Sequence, residues 1–346
     1  MGKKVTTKII HNGSDPNKHY GSINIPIYKN STLIFKNYRS FLDAKKNKFD
    51  LPYYGRINTN TTKKFAKVIT SLYNSKFTVL TSSGLSAITL TLKSFLKKND
   101  EVLITENCYE PVFNFAKNEL EKFGIKVHFY SNNCKNLQNF INKKTKLIYV
   151  ESPSSLNFNV EDLVNISRIA KKYKLISVID NTWSTFLGCN PFNYGLDVVI
   201  ESATKYISGH SDNFLGISTT RSKIIYNKIK STAVRCGDFV SSESCYAAFN
   251  GLKTLKLRLE NHSKNALEIF KFLKSQKKIK DIKYLPDIMN KNHELWKKYH
   301  SLSNGLITFS LKNNAPIEKF IDNLKLFKIG FSWGGFESLI IPINNL

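Results

Sequence analysis

The sequence predicts an α/β protein built on a mainly parallel β-sheet, with a smaller α+β domain towards the carboxyl terminus. Short apolar runs of strand length alternate with amphipathic helical segments from about 78 to 218. Such alternation is typical of a parallel sheet covered by helices on both faces. From residue 242 onward, one long helical segment replaces the alternation. With 346 residues and 41% hydrophobic content, the chain can bury a core of this size.

The individual elements follow from hydrophobic periodicity along the chain. Residues 1–50 have weak periodicity and predict an extended arm. Amphipathic spacing predicts helices at 63–75, 86–98, 111–122 and 160–173. Apolar or alternating runs predict strands at 101–105, 127–130, 147–150, 176–179 and 198–201. The later pattern predicts a helix at 244–275 and strands at 279–284 and 306–311.

These elements predict three parts of the chain. Residues 1–57 form an amino-terminal arm and subunit-contact segment, 58–243 a cofactor-binding α/β domain, and 244–346 an α+β domain. No segment approaches 18 uncharged apolar residues, so we expect no membrane span. An odd number of scattered cysteines without C-x-x-C spacing predicts neither disulfides nor a metal site, and favours the cytoplasm. They are Cys108, Cys134, Cys189, Cys236 and Cys245.

The charge of the chain raises the question of a nucleic-acid partner. The formal net charge is +26, from 52 basic and 26 acidic residues, and such an excess can bind phosphates. The lysines are spread through nearly every segment, however, and scattered charge is typical of solvated surface. We therefore expect no dedicated nucleic-acid partner.

The strongest functional pattern is the segment 201–212, ESATKYISGHSD. Lys205 is flanked by Ser202 and Thr204, and Asp180 ends an earlier apolar run. Because parallel sheets bind ligands at the carboxyl ends of their strands, we expect these residues in one site. Pyridoxal 5'-phosphate needs a lysine amine for its aldehyde, a carboxylate beside its ring nitrogen and hydroxyls near its phosphate. The plainer interpretation, a surface lysine and a turn aspartate, does not account for the combination.

Other residues extend the predicted cofactor site. Ser83, Gly84 and Leu85 open a predicted helix, whose free N–H groups favour phosphate. Tyr109 follows a strand and is a candidate to stack on the cofactor ring, although packing is the default role for one of 16 tyrosines. Tyr54 and Arg56 offer a hydroxyl and a guanidinium to the phosphate. Since these two precede the sheet, a neighbouring subunit is one source for them.

Together these segments resemble the Cys/Met-metabolism family of pyridoxal phosphate enzymes, which comprises cystathionine lyases and synthases and methionine gamma-lyases. The similarity runs from about residue 54 to 339. Residues 107–111, NCYEP, and 332–339, SWGGFESL, resemble the bacterial cystathionine beta-lyase branch. Gamma-acting members usually carry Leu where Trp333 stands, and Asn-Pro where this chain has Ser155-Leu156.

The resemblance implies a fold of the aspartate aminotransferase type, fold type I of the pyridoxal phosphate enzymes. It implies that Lys205 carries the cofactor, Asp180 pairs with the ring nitrogen and Tyr109 stacks on the ring. The implied phosphate ligands are Ser83, Gly84, Leu85, Ser202 and Thr204, with Tyr54 and Arg56 from an adjacent subunit. Ser332 and Trp333 are implied substrate contacts. A homodimer is the implied minimum unit, and homotetramers are usual in the family.

The implied reaction is the β-elimination of L,L-cystathionine to L-homocysteine, pyruvate and ammonia, in methionine biosynthesis. Lys205 is the implied general base, and Tyr109 either deprotonates the substrate amine or only stacks. Two alternatives stay open. One is an enzyme of the gamma-synthase or gamma-lyase type, and the other is a non-catalytic protein that binds the cofactor on the same scaffold.

The chain departs from the family pattern at its carboxyl-terminal end. Family members continue beyond the Glu-Ser-Leu segment and supply an arginine for the substrate α-carboxylate, whereas this sequence stops at Leu346. The resemblance therefore implies an incomplete small domain with exposed apolar surface and weakened turnover. A shortened enzyme, a decayed gene product and a partial sequence are the open explanations.

Overall fold

The computed structural model describes residues 4–131, 137–312 and 316–343. Cys134 and Leu346 lie outside the described residues. The helices are Val5–His11 (α1), Tyr38–Lys46 (α2), Asn60–Leu72 (α3), Gly84–Phe95 (α4), Glu110–Phe115 (α5), Leu163–Tyr173 (α6), Thr185–Gly188 (α7), Lys223–Arg235 (α8), Ser242–Ser275 (α9), His293–Tyr299 (α10) and Ile317–Asp322 (α11). The strands are Phe77–Thr81 (β1), Glu101–Thr105 (β2), Lys126–Tyr130 (β3), Thr145–Glu151 (β4), Ile176–Asp180 (β5), Val198–Ser202 (β6), Gly216–Thr220 (β7), Ile279–Lys283 (β8), Thr308–Leu311 (β9), Lys328–Ile329 (β10) and Leu339–Ile340 (β11).

Seven of the described strands form the central sheet, in the order β1-β7-β6-β5-β4-β2-β3. The neighbours from β6 to β3 run parallel to one another. β7 runs antiparallel to both β1 and β6. The predicted α/β class with a mainly parallel sheet is therefore confirmed.

The sheet is apolar on both faces, which explains why its strands appear as continuous apolar runs. Along β2, Leu103 enters one hydrophobic cluster, while Val102 and Ile104 enter the other. The helices α3, α6 and α9 cover the first face, and α4, α5 and α8 cover the second. Side chains alternate along a strand, so two helical layers are needed to bury this sheet.

The first fifty residues differ from the prediction. They contain α1 and α2 as well as extended segments. α2 begins with a capping box, because the Asn37 side chain accepts from the N–H of Ser40 at 2.8 Å and the Asn37 N–H donates to the Ser40 hydroxyl at 3.1 Å. Reciprocal caps of this kind start a helix even where the apolar periodicity is weak. The expectation of a wholly extended arm was wrong.

The predicted helix at 111–122 also has a different form. α5 covers Glu110–Phe115, and the segment Ala116–Leu120 continues as a π-helical turn. The other predicted helices and strands agree with the structure to within about three residues. β7 and α8 had no counterpart of their own in the prediction.

The long helix α9 connects the central sheet to the carboxyl-terminal region. Its first half buries Cys245, Ala248 and Leu252 in the cluster under the sheet. Its second half packs Ala266 and Phe270 against Tyr284, just after β8. The β8–β9 pair is antiparallel and the short β10–β11 pair is parallel.

The carboxyl-terminal region exposes large apolar side chains. The exposed fractions are 83% for Leu326, 78% for Phe331 and 75% for Phe336. Among the described helices, none combines the length and apolar character that crossing a membrane requires. The four described cysteines are free thiols.

Candidate active site

The predicted site residues meet where β1, β5 and β6 end. Gly216, the first residue of β7, is paired with both Thr81 and Ser202. The antiparallel β7 thereby brings the loops after β1 and β6 side by side. Asp180 ends the next strand, β5. Asp180, Ser202 and the turn that carries Lys205 thus share one edge of the sheet, as their sequence positions predict.

Lys205 lies in a tight turn after β6. Its N–H donates to the Ser202 carbonyl at 3.1 Å, and its carbonyl accepts from the Gly209 N–H at 2.8 Å. Burial lowers the pKa of the Lys205 amine to about 8, although the charge of Asp180 opposes this. A lysine with such a pKa supplies uncharged amine near neutral pH, which is the nucleophilic and basic form.

Asp180 is a buried carboxylate, only 8% exposed. Its Oδ1 accepts from the Thr182 N–H at 2.9 Å. Burial raises the pKa of Asp180, while bonds from Thr182 and the charge of Lys205 oppose the rise. A cation beside this carboxylate would offset the cost of its burial. The arrangement therefore fits a protonated ring nitrogen.

The loop after β1 forms a close cradle against β6. The Ser83 hydroxyl caps α4 by accepting from the Ser86 N–H at 3.0 Å. A Cβ on Gly84 would lie 2.5 Å from both Cβ and Oγ of Ser202, so the backbone at Gly84 needs a residue without a side chain. Leu85 packs on the core below. Free N–H groups and hydroxyls at a helix start fit a phosphate.

Thr204 fixes the other side of this cradle. Its hydroxyl accepts from the Leu215 N–H at 3.0 Å, and its own N–H donates to the Leu215 carbonyl at 3.2 Å. These bonds attach the turn that carries Lys205 to the segment leading into β7. Ser83, Gly84, Leu85, Ser202 and Thr204 thus lie near one another after β1 and β6, and their role as phosphate ligands stays a prediction.

A turn from the carboxyl-terminal region lies directly on Lys205. The Lys205 Nζ donates to the Ser332 Oγ at 2.5 Å and lies 5.3 Å from the centre of the Trp333 ring. Trp333 also packs on Tyr206, with ring centres 5.3 Å apart. A Cβ on Gly334 would come within 3.0 Å of the Tyr206 backbone nitrogen. Ser332 and Trp333 therefore contact the predicted lysine.

Tyr109 is the N-cap residue before α5, at the same edge of the sheet, and is 44% exposed. Its N–H donates to the Glu151 Oε2 at 2.6 Å. Burial raises the pKa of the Tyr109 hydroxyl, and the charges of Glu151, Glu110 and Asp180 raise it further. The negative charge of Asp180 therefore acts on the Tyr109 hydroxyl.

Tyr54 and Arg56 are placed differently. The Arg56 guanidinium donates to the Val234 carbonyl, at the end of α8, at 3.0 Å. It also lies 5.9 Å from the Tyr54 ring centre. Among the contacts of the described residues, neither side chain reaches the turn that carries Lys205 in the same chain.

A family model described as Cys/Met metabolism PLP-dependent enzyme matches residues 6–344. The chain belongs to this family. It is 33% identical to an L-alanine/L-glutamate racemase of Wolbachia pipientis wMel, over 97% of this chain and 86% of the relative. It is 32% identical to a cystathionine beta-lyase of Bordetella avium, over 98% and 87% of the two chains.

A solved structure adds direct evidence on the cofactor of this Cys/Met-metabolism fold. A putative O-acetylhomoserine (thiol)-lyase from Campylobacter jejuni contains N'-pyridoxyl-lysine-5'-monophosphate. It superposes with a TM-score of 0.93 and 26% identity, and covers 98% of this chain and 93% of that chain. Pyridoxal 5'-phosphate is the cofactor of this family. The buried carboxylate of Asp180 fits its ring nitrogen, and the cradle at Gly84 fits its phosphate.

Several polar residues at this edge were absent from the sequence prediction. The Thr182 hydroxyl accepts from the Ser202 N–H at 2.8 Å and ties β5 to β6. Asp238 accepts from the hydroxyls of Ser82 and Ser86 at 2.6 and 2.9 Å and steadies the start of α4. Nothing in the local sequence reveals these partners, because each pair is brought together only by the fold.

Buried acidic residues form the second group that the prediction missed. Glu201 accepts from the Tyr73 hydroxyl, which in turn accepts from the Asn181 side chain at 3.1 Å. Burial raises the pKa of Glu201 to about 8. Glu151 ends β4 beside Asp180. A sequence signal for Glu151 exists, since it ends an apolar run just as Asp180 does.

Proposed function

We propose that this Cys/Met-metabolism enzyme is a carbon-sulfur lyase that cleaves L,L-cystathionine by β-elimination to L-homocysteine, pyruvate and ammonia. The observation that carries the proposal is the contact of Ser332 and Trp333 with the amine of Lys205. The beta-lyase resemblance includes this tryptophan, and the relative from Bordetella avium carries the same activity in its name.

The residues of the sheet edge supply binding and charge. Lys205 would hold the cofactor aldehyde, Asp180 its ring nitrogen, and the cradle of Gly84 and Ser202 its phosphate. Bound pyridoxal phosphate supplies an electron sink for the pair released when the substrate Cα–H bond breaks. Asp180 keeps that sink positively charged, because a buried carboxylate attracts a cation more strongly than solvent-exposed groups do.

Lys205 would handle the proton. Its amine has a pKa near 8, so it can take the Cα proton near neutral pH and then donate it to the departing sulfur. Ser332 accepts from this amine and holds it in place. Trp333 lies over the amine, with its ring centre 5.3 Å from Nζ. The Ser332 hydroxyl and the backbone N–H of Trp333 are the proposed contacts for the substrate carboxylate.

The phosphate site would be completed by a second copy of the chain. Tyr54 and Arg56 do not reach Lys205 within one chain, so we propose a homodimer or a homotetramer of two dimers that shares active sites. We also propose that the chain divides into three parts, residues 1–57, 58–243 and 244–346, and that the protein is located in the cytoplasm. Mixing inactive Arg56→Ala and Lys205→Ala proteins should restore some activity if sites are shared.

Racemisation is the second candidate, favoured by the name of the Wolbachia relative. It requires removal of the Cα proton from one face of the substrate and its return to the other. Lys205 and Tyr109 are the two ionisable candidates for these roles. A gamma-type lyase is a third outcome, which Trp333 and Ser155 disfavour.

One assay separates these functions. The purified holoenzyme is given L,L-cystathionine, and pyruvate, 2-oxobutyrate and free thiol are measured; L-alanine is given separately and D-alanine is measured. We expect equal amounts of pyruvate and thiol. Lys205→Ala should abolish both products, whereas Lys117→Ala, which removes a surface lysine that pairs with Glu121 and lies over the Phe129 ring, should not. Production of 2-oxobutyrate would indicate the gamma-type reaction. D-alanine formed without any pyruvate would indicate racemisation. The absence of product from every substrate would indicate a binding protein.

A further inference from the structure

Glu151 is a buried carboxyl group that has no role in the proposed reaction. It is the last residue of β4 and is only 5% exposed. Its partner in the strand register is Asp180, the last residue of β5. Register partners on adjacent parallel strands present their side chains to the same face of the sheet. The carboxyl group of Glu151 is therefore at the candidate active site.

The two oxygens of Glu151 bind two different loops. Oε2 accepts from the Tyr109 N–H at 2.6 Å. Oε1 accepts from the Ser155 N–H at 2.8 Å and from the Ser155 hydroxyl at 2.5 Å. The first loop follows β2 and the second follows β4. One side chain thus joins the two loops across the sheet edge.

The Tyr109 carbonyl accepts from the Val112 N–H at 2.8 Å and the Phe113 N–H at 3.3 Å, but these bonds belong to the first turn of α5 and do not attach Tyr109 to the end of β4. Its ring is 44% exposed. Tyr109 is the N-cap residue of α5 and makes no side-chain capping bond. A charged acceptor makes a hydrogen bond about twice as strong as a neutral one. The bond from the Tyr109 N–H to Glu151 therefore attaches the start of α5 to the end of β4.

The groups that face Glu151 make its charge sensitive to pH. They are Asp180 on β5, Tyr149 on β4, and Cys108 and Tyr109 before α5. Burial raises the pKa of Glu151 to about 7, and the charge of Asp180 raises it as well. The ionised form, present above that pH, is the better acceptor for the two loops.

We propose that Glu151 is a positioning residue that holds Tyr109 at the active site by binding its backbone. The proposal extends to turnover only through the proposed function, in which Tyr109 contacts the cofactor or the substrate amine. The restraint on the loop itself requires no cofactor and no catalysis. It can therefore be tested on the protein without cofactor.

Amide-resolved hydrogen exchange by mass spectrometry tests the restraint. In Glu151→Gln, the Tyr109 amide should exchange at least about tenfold faster than in the wild type, because the strong acceptor is lost. Amides of β5 should keep their protection. Glu101→Gln is the matched control, since Glu101 is buried at the start of β2 and accepts from His128 at 2.7 Å and Asn142 at 2.8 Å. It should leave the Tyr109 amide unchanged.

A pH series separates a charged restraint from simple packing. After correction for intrinsic exchange, protection of the wild-type Tyr109 amide should fall as pH is lowered from 8 to 6, because Glu151 then gains a proton. In Glu151→Gln the protection should not change with pH. Ser155→Ala, which removes one hydroxyl contact and no charge, should keep the pH dependence. If Glu151→Gln fails to fold, the restraint on the Tyr109 amide is tested in the milder variant Ser155→Ala.

Two results would overturn the proposal. The first is a Tyr109 amide that stays fully protected in a folded Glu151→Gln protein. The second is wild-type protection that does not vary between pH 6 and 8. If the loop loosens as expected but the holoenzyme keeps its kcat, the restraint stands and the proposed part of Tyr109 in the reaction is wrong.

Discussion

Two regions of the molecule meet at Lys205, and they are built differently. On one side is the edge of the central sheet, where Asp180 is buried and Gly84 packs against Ser202 with no space for a side chain. On the other is the turn of Ser332 and Trp333, which comes from the carboxyl-terminal region between two strands of two residues each. The first region is part of the main core, whereas the second contacts that core mainly through the partly buried Trp333.

This difference separates two tasks. A buried, many-bonded edge can hold a cofactor in one orientation, because its groups are fixed before the ligand arrives. The exposed residue Ser332 in this turn can change at little cost to the fold, and relatives with different names share this scaffold. We expect substitutions at the edge to alter cofactor binding and turnover, and substitutions in the turn to alter substrate recognition.

The largest effect should come from Asp180→Asn. Removing the charge that we propose to hold the ring nitrogen should lower kcat for pyruvate formation by about 10²–10³-fold, the typical cost of losing one preorganised electrostatic partner. Asp197→Asn is the control, because Asp197 accepts from the Ser177 N–H and hydroxyl at 2.9 and 2.7 Å before β6 begins. If both variants lose activity equally, the sheet edge is no more sensitive than the rest of the sheet.

A pair of glycine substitutions compares the packing at the sheet edge with that at Gly305, a more open position before β9. In Gly84→Ala the new Cβ would meet Ser202 at 2.5 Å, and overpacking of this kind costs about 1–3 kcal/mol. We expect lower stability in urea and weaker cofactor binding. In Gly305→Ala the nearest atom, His262 Cβ, is at 3.4 Å, so little should change. Equal losses of stability in Gly84→Ala and Gly305→Ala would show that the sheet edge is no more tightly packed than the position of Gly305.

The pH dependence of stability should come from the sheet region. Burial raises the pKa of Glu201 from 4.5 to about 8. Between these values the folded protein holds a proton that the unfolded chain has released, so stability falls as pH rises. One such group contributes up to about 1.4 kcal/mol per pH unit. The free energy of unfolding of the protein without cofactor is measured in urea at pH 5 to 8. It should fall less steeply with rising pH for Glu201→Gln than for the wild type.

The matched control for this slope is Glu260→Gln. Glu260 forms an exposed ion pair with Lys256 on α9, so its removal should leave the slope unchanged. A Glu201→Gln protein whose stability still falls as steeply as that of the wild type would show that Glu201 is already ionised in the folded state.

The smallest expected effect is in the turn. Ser332 has a φ of +89°, which costs a residue with a side chain about 1 kcal/mol or more. Ser332→Gly should therefore be as stable as the wild type or slightly more stable, while KM rises roughly threefold to tenfold because the hydroxyl is lost. Ser332→Ala should share the KM change without the gain in stability. Reduced cofactor content in either variant would contradict the division of tasks.

The sequence predicted much of the sheet region. Apolar runs located β2 to β6, and their carboxyl-terminal residues Asp180 and Ser202 led to the site. The antiparallel course of β7 was not predictable from the runs, because periodicity carries no strand direction. The capping box of Asn37 and Ser40 was readable in principle but lay in a segment of weak periodicity.

The rest of the site depends on contacts between distant segments. Glu151 meets Tyr109 only through the order of strands in the sheet. Ser332 reaches Lys205 across 127 residues of chain, and the family resemblance, not local periodicity, named it. Long-range pairs of this kind follow from the fold, whereas helix caps and strand ends follow from neighbouring residues.

The most direct test of the central claim is to locate the cofactor on the chain. The purified holoprotein is reduced with borohydride and digested, and the peptides are analysed by mass spectrometry. We expect the reduced pyridoxyl phosphate on Lys205 and none on the Lys205→Ala protein. Its presence on another lysine, or on none in a protein loaded with the cofactor, would show that Lys205 does not carry it.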